Sequence, residues 1–226
     1  MSENREIDKF MYEQFGRFSP VLDEYQWPWE IARWHELAFC FIVSLDKHPG
    51  ANDIARETVD MFVNLDLLEI EILSQHFDAK GKPDVSNPDT TLMISIMRRQ
   101  GYSDEQAKAA VVALIKAAQT LQSRFGGKVQ KYFREYGKRM VSEFSELFSI
   151  NHINKVDVKY AVTLWIQNTV NMPVCLSNPS VEALCERFNA SVDDLIEAAD
   201  INDINVALID DWATDYITVE SEQHHE

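Results

Sequence analysis

The sequence predicts an all-α fold, and three observations predict it. Apolar residues recur at helical spacing through nearly the whole chain. No stretch alternates with period two for long enough to build a sheet. Gly and Pro, seven of each, fall mostly between the periodic segments. A chain of 226 residues with 46% hydrophobic content can bury a sizeable core, and the composition is that of a folded protein. About nine to ten helices are expected on this pattern.

Taken in order, residues 5–16 form a first short helix, followed by an irregular stretch with a turn at Ser19 and Pro20. Pro28 suits the first turn of a helix over 29–45, whose Ile31, Trp34, Leu37, Ala38, Phe41, Ile42 and Leu45 keep the i, i+3, i+4, i+7 rule. Asn52 is the expected cap of the next helical run, 53–76, with a break near Asn64. Residues 78–89 hold two Pro, one Gly and several turn formers, and read as a loop tolerant of insertion. Helices follow over 90–100, 103–124 and 128–148; Ser103 with Gln106 makes a capping box, and Gly126-Gly127 ends the long helix. A helix over 156–169, a Pro-broken loop over 171–179 and a helix starting at Ser180 complete the central part. Ser191 opens another helix, 203–219 forms the last one, and 220–226 reads as a disordered tail. Trp34, Phe41, Leu114, Leu164 and Trp165 are the expected buried anchors.

Charge and cysteine content narrow the function. Cys40, Cys175 and Cys185 are widely spaced without a CxxC pair, which argues against a disulfide framework and a zinc site. No apolar run reaches the length of a membrane helix, and the first residues lack a signal-peptide core, so a soluble cytoplasmic protein is expected. The net charge of −16 disfavours nucleic acid taken as a whole. It is unevenly spread. Residues 98–159 carry 12 of the 21 Lys and Arg but only 6 of the 37 acids, a local balance of +6. Such a zone suits a polyanion; it also suits an ordinary solvated helical surface.

Most catalytic constellations are missing. Asp60, Asp66, Glu69, Glu71 and His76 put acids on one helical run, but Glu30 to His35 and Glu71 to His76 are spaced i, i+5, on different faces. A carboxylate-bridged di-metal bundle needs i, i+3 pairs. There is no GxxxxGKS/T or GxGxxG phosphate loop and no GxSxG elbow, so no nucleotide cofactor or serine-hydrolase chemistry is expected. Trp165 and Trp212 read as packing anchors, and Cys185 as a small core residue.

One resemblance covers residues 30–190. Gly101-Tyr102 with Gln106-Ala107-Lys108-Ala109 resembles the glycine turn and helix opening of the endonuclease III-like members of the helix-hairpin-helix DNA glycosylase superfamily. The run Leu121 to Phe125-Gly126-Gly127-Lys128-Val129 is similar to the family's following helix end. Val158-Lys159-Tyr160-Ala161 falls at its Lys-Lys-Thr-Ala-like helix start. Asn178-Pro179-Ser180-Val181 through Leu184-Cys185-Glu186-Arg187 falls at its Asp-Thr-His-Val through Arg segment, and Glu36-Leu37 to Ser44 at its first core helix.

The resemblance implies a two-lobed helical fold in which 28–165 forms one lobe. Residues 1–27 would pack on a second lobe built from 166–219. It implies that Lys159 is the Schiff-base amine and Asn178 the carboxylate position. Lys128, Lys131 and Lys155 of the basic zone are the expected contacts to double-stranded DNA, and with no four-Cys iron–sulfur motif at the C-terminus no cofactor is expected. The chain departs from the family pattern at two places. Asn178 is neutral and cannot stabilise a cationic sugar, and the hairpin reads Asn154-Lys155-Val156-Asp157 where the family uses glycines to approach a phosphate. The function expected on this basis is a divergent DNA-repair glycosylase relative, weak or inactive in base excision. The alternatives are an acidic all-α scaffold with a protein partner, and an enzyme that uses another acid such as Asp157.

Overall fold

The structure, a computed structural model, describes residues 5–18, 30–46, 50–150, 153–170, 175 and 177–223. It is all-α. The helices are α1 (Arg5–Phe18), α2 (Glu30–Val43), α3 (Ala51–Asn64), α4 (Ile70–Leu73), α5 (Pro88–Arg99) and α6 (Asp104–Phe125). They continue as α7 (Val129–Tyr136), α8 (Met140–Leu147), α9 (Val158–Val170), α10 (Pro179–Arg187), α11 (Val192–Ile201) and α12 (Ile209–Gln223). Short 3-10 turns stand at Gly137–Arg139 and Val206–Leu208. No strand occurs among the described residues, only an isolated bridge between Phe77 and Pro83. None of the described helices is long and apolar enough to cross a membrane.

Twelve α-helices among the described residues exceed the nine to ten expected because two periodic runs are cut. The run 128–148 breaks at Gly137, whose φ of 49° and ψ of −126° lie outside any helix. The run 53–76 divides into α3 and α4 around Asp66, itself at φ 55°. The cap expected at Asn52 is not used: α3 starts at Ala51, two residues before the expected start at 53, with left-handed Gly50 before it and no side-chain cap. Residues 220–223, expected to be disordered, continue α12 to Gln223. The turn at Ser19 and Pro20, the helix start at Pro28 and residues 224–226 lie outside the described residues. The loop expected over 78–89 ends at Asn87, since Pro88 and Asp89 already open α5, and side chains tie it and cap that helix. Asp78 Oδ1 accepts from the N–H groups of Lys80 and Lys82, at 2.8 and 2.9 Å, and Asn87 Oδ1 accepts from Asp89 N at 2.9 Å.

The chain divides into two compact units, one of Gln26–Trp165 and one of Met1–Tyr25 with Ile166–Glu226. The larger is arranged around α6, which packs against α2, α4, α5 and α7. Its buried face is largely alanine, with Ala107, Ala110, Ala113, Ala117 and Ala118 all fully buried, and such short side chains let neighbouring backbones approach. Ser103 and Gln106 close the capping box at its start, and Gly126, at φ 62°, ends it. Trp34 is fully buried and its indole N–H donates to Leu68 O at 2.6 Å. A second concentration of buried rings joins α7, α8 and α9: Tyr132 lies 5.9 Å from Phe144, 5.2 Å from Phe148 and 6.2 Å, nearly parallel, from Trp165. Phe41, Leu114 and Trp165 are buried as expected, whereas Leu164 is half-buried because its helix turns Ala161, Trp165 and Ile166 inward.

In the smaller unit α1 packs against α11 and α12, and α10 packs against the same two helices. Its core gathers Ile7, Met11, Val181, Leu184, Leu195 and Trp212. Trp212 is enclosed by Phe10 at 5.7 Å and Phe15 at 5.8 Å, so this indole is a packing anchor. Cys185 is partly buried against the same cluster.

Candidate nucleic-acid interface

The approach to α9 begins at the end of α8. Ser149 is left-handed (φ 54°); Ile150 N donates to Ser145 O at 2.9 Å, and Ser149 N to Glu146 O at 3.0 Å. This is the paired-bond helix end usually built with glycine, here held by serine with Ile150 fully buried behind it. Lys116 of α6 donates its amine to Ser149 O at 2.5 Å. A turn at Asn154 and Lys155 follows, and Lys155 takes a φ of 83°. A side chain with a Cβ is strained there by about 1–2 kcal/mol, so the backbone asks for glycine at this position. Val156 is then buried, and Asp157 caps α9, its Oδ1 accepting from Tyr160 N at 3.0 Å.

Four of the five candidate residues belong to the larger unit. Lys155 stands in the turn, with its amine 3.9 Å from Glu105 Oε2; both side chains are over half exposed, so the pair contributes little stability. Lys159 is an exposed residue of the first turn of α9, and its carbonyl accepts from Thr163 Oγ1 at 2.8 Å. Lys128 and Lys131 are exposed at the start of α7, joined by the bond from Lys131 N to Lys128 O at 3.2 Å. The structure therefore gathers these lysines as two local pairs, one at the α7 start and one at the α9 start.

Asn178 belongs to the smaller unit, and both ends of its amide are engaged. Its Oδ1 accepts from Val181 N at 2.8 Å and so caps α10. Its Nδ2 donates to Asp210 O at 3.4 Å and Thr214 Oγ1 at 3.2 Å on α12. The residue joins two helices and carries no charge.

The comparisons with known proteins return nothing. No family model, no curated protein and no solved structure matches the chain.

The basic zone over 98–159 is partly neutralised at short range. Arg98 and Lys108 both pair with Asp104, the second at 2.7 Å, and Arg139 pairs with Glu143 at 3.0 Å. Arg99, Arg124, Lys128, Lys131, Arg134 and Lys159 are exposed and have no ion pair among the described residues. Four of these six lie within the eleven positions 124–134, at the corner where α6 gives way to α7.

Two features escape a reading of the sequence. One is a cleft of about 240 Å³ bordered by Glu30, Glu69 and Glu71 with Ile31, Leu68 and Ile70, an acidic mouth over an apolar wall. These residues come from two separate segments, and no motif links them. The other is Asp210, only 7% exposed, whose carboxyl accepts from Gln167 Nε2 at 3.2 Å. Burial, aided by the charge of Asp211, pushes its pKa up to about 7. Burial likewise pushes the Cys175 thiol up to about 12, and Asp210 and Cys185 add to the rise. The doublet Asp210-Asp211 reads in sequence as solvated helix charge, which conceals that one member turns inward. Among the described residues no three His, Cys, Asp or Glu side chains are placed to hold a metal ion.

Proposed function

We propose that this chain is a divergent relative of the helix-hairpin-helix DNA glycosylases that binds duplex DNA and does not excise bases. The turn before α9 carries the reading. Lys155, at φ 83°, occupies the left-handed backbone that the family resemblance builds with glycine, immediately before the Val158-Lys159-Tyr160-Ala161 helix start. The exposed cations Arg124, Lys128, Lys131 and Arg134 supply charge for phosphate contacts. The engaged, neutral amide of Asn178 supports the absence of excision, because no negative charge stands at that position to meet a cationic sugar.

Binding of a labelled duplex, followed by fluorescence anisotropy over a salt series, tests this function. The expected outcome is weak binding whose affinity falls steeply with salt, together with no release of base from lesion-containing duplexes. Binding absent at low ionic strength would remove the DNA reading.

A second reading is favoured by the acidic cleft. Its three glutamates and apolar wall suit a basic segment of a protein partner, and the protein would then be an interaction module. A chain that ignores DNA but binds a lysine-rich peptide would decide for it.

A further inference from the structure

Asp210 opens the first turn of α12, where α9, the segment before α10 and α10 itself converge within one unit. From α9, Gln167 donates its amide to the carboxyl at 3.2 Å. From the α10 cap, Asn178 donates to the Asp210 carbonyl at 3.4 Å and to Thr214 Oγ1 at 3.2 Å. Thr214 Oγ1 in turn donates to the Asp210 carbonyl at 2.8 Å. The same residue therefore holds α12 to α10 through its backbone and to α9 through its side chain.

The charges around it offer no counterion. On its own helix the neighbour is Asp211, of like sign, and from the segment before α10 the neighbour is the Cys175 thiol. On α10, Arg187 donates to Tyr216 Oη at 3.0 Å, and Glu182 accepts from Ser177 at 3.4 Å. On α1, Lys9 pairs with Glu13 at 3.7 Å. Among the described residues no Lys, Arg or His bonds to the Asp210 carboxyl. An ionised carboxylate would be buried beside a second carboxylate, with only its own backbone N–H and one neutral amide for support.

We propose that Asp210 is the bolt of a proton-dependent latch. Uncharged, it seats the first turn of α12 against Gln167 and Asn178; once its proton passes to water, the carboxylate favours the release of that turn from the α10 cap. The burial that disfavours the charged form in the seated state is absent in the released state. The seated population therefore falls as pH rises from the ordinary carboxylate range to about 7, and is level above that. The latch is independent of what the chain binds.

Hydrogen exchange of the full-length protein tests it, with amide protection at Val181 and at 211–214 corrected for the intrinsic pH effect. Between about pH 5 and about pH 7 protection is expected to fall by roughly tenfold per unit, levelling above 7, while Asp210→Asn shows no such slope. A slope retained in Asp210→Asn, or a flat wild type, would overturn the latch. Should Asp210→Asn fail to fold, carbon-detected titration of the wild-type Asp210 carboxyl is decisive. A midpoint near 4, or one near 7 without change in the Val181 and Thr214 signals, overturns it. A midpoint near 7 that moves both supports it.

Discussion

The indole N–H of Trp165 donates to the carbonyl oxygen of Arg33 at 2.7 Å, a bond between residues 132 positions apart. It fixes the start of α2 against α9 inside the larger unit, while the ring packs on Phe133 at 4.9 Å. The side chain contributes both ring burial and satisfaction of a backbone acceptor. Trp165→Ala is expected to cost about 3–5 kcal/mol and Trp165→Phe about 1–3, since the second loses the donor but keeps most of the ring. Urea unfolding checks both; a near-neutral Trp165→Ala would mean that α9 is peripheral.

Asn178 separates its two duties by substitution. Asn178→Ala removes the α10 cap and the bonds to α12, and should cost about 1–2 kcal/mol in thermal or urea unfolding. Asn178→Asp keeps the cap acceptor but turns its second oxygen toward the Asp210 carbonyl, so a loss of about 1 kcal/mol is expected at pH 8 that shrinks in acid. Equal stability of wild type and Asn178→Asp at pH 8 would contradict the orientation of the amide.

For Asp210 the sign of the pH effect follows from a folded pKa of about 7 against an ordinary value of 3.8. Between those limits the folded state binds more protons than the unfolded state, so stability falls as pH rises and is level above 7. A difference of about three pKa units is worth about 4 kcal/mol at full burial. Asp210→Asn should therefore be more stable than wild type at pH 8, lose more than half of that advantage by about pH 5, and lose the rest below about pH 4. Denaturation at the two pH values measures this, and identical pH profiles would exclude it.

Lys155 tests the turn before α9. Lys155→Gly and Lys155→Ala both remove the charge, but only the glycine relieves the left-handed backbone, so it should be the more stable of the two by about 1 kcal/mol. The reverse order would show that the turn does not hold its positive φ.

The proposed DNA contact through the α7 start would have its own signature. The double change Lys128→Ala, Lys131→Ala should reduce the salt slope of duplex binding by about 2 without lowering the melting temperature, since both side chains are exposed. An unchanged slope would place the contact elsewhere.

The helices and several of their ends were legible in the sequence because local chemistry sets them. Ser103 and Ser191 each close a capping box, and Gly126 ends α6 in the left-handed conformation. Gly137 is the instructive failure. Apolar periodicity carries across it, and only the lone glycine inside the run signals the break. The site was less legible. That Lys155 adopts a glycine-like turn depends on where α8 stops and where Val156 is buried, and Asp210 turns inward only because three segments distant in sequence meet around it. No spacing rule records a meeting of that kind.

The course of the chain between its two units has a consequence for synthesis. Residues 1–25 belong with 166–226, and everything between forms the other unit. During translation α1 emerges ahead of α10, α11 and α12, bearing Ile7, Phe10, Met11 and Phe15, whose packing partners on those helices have not yet been made. At ribosomal elongation rates it waits on the order of ten seconds or more, with its apolar face unclaimed, while the larger unit is completed. The apolar face of α1 is thus open to aggregation for that interval, and a chaperone that shields it would act while its partner helices are still being made.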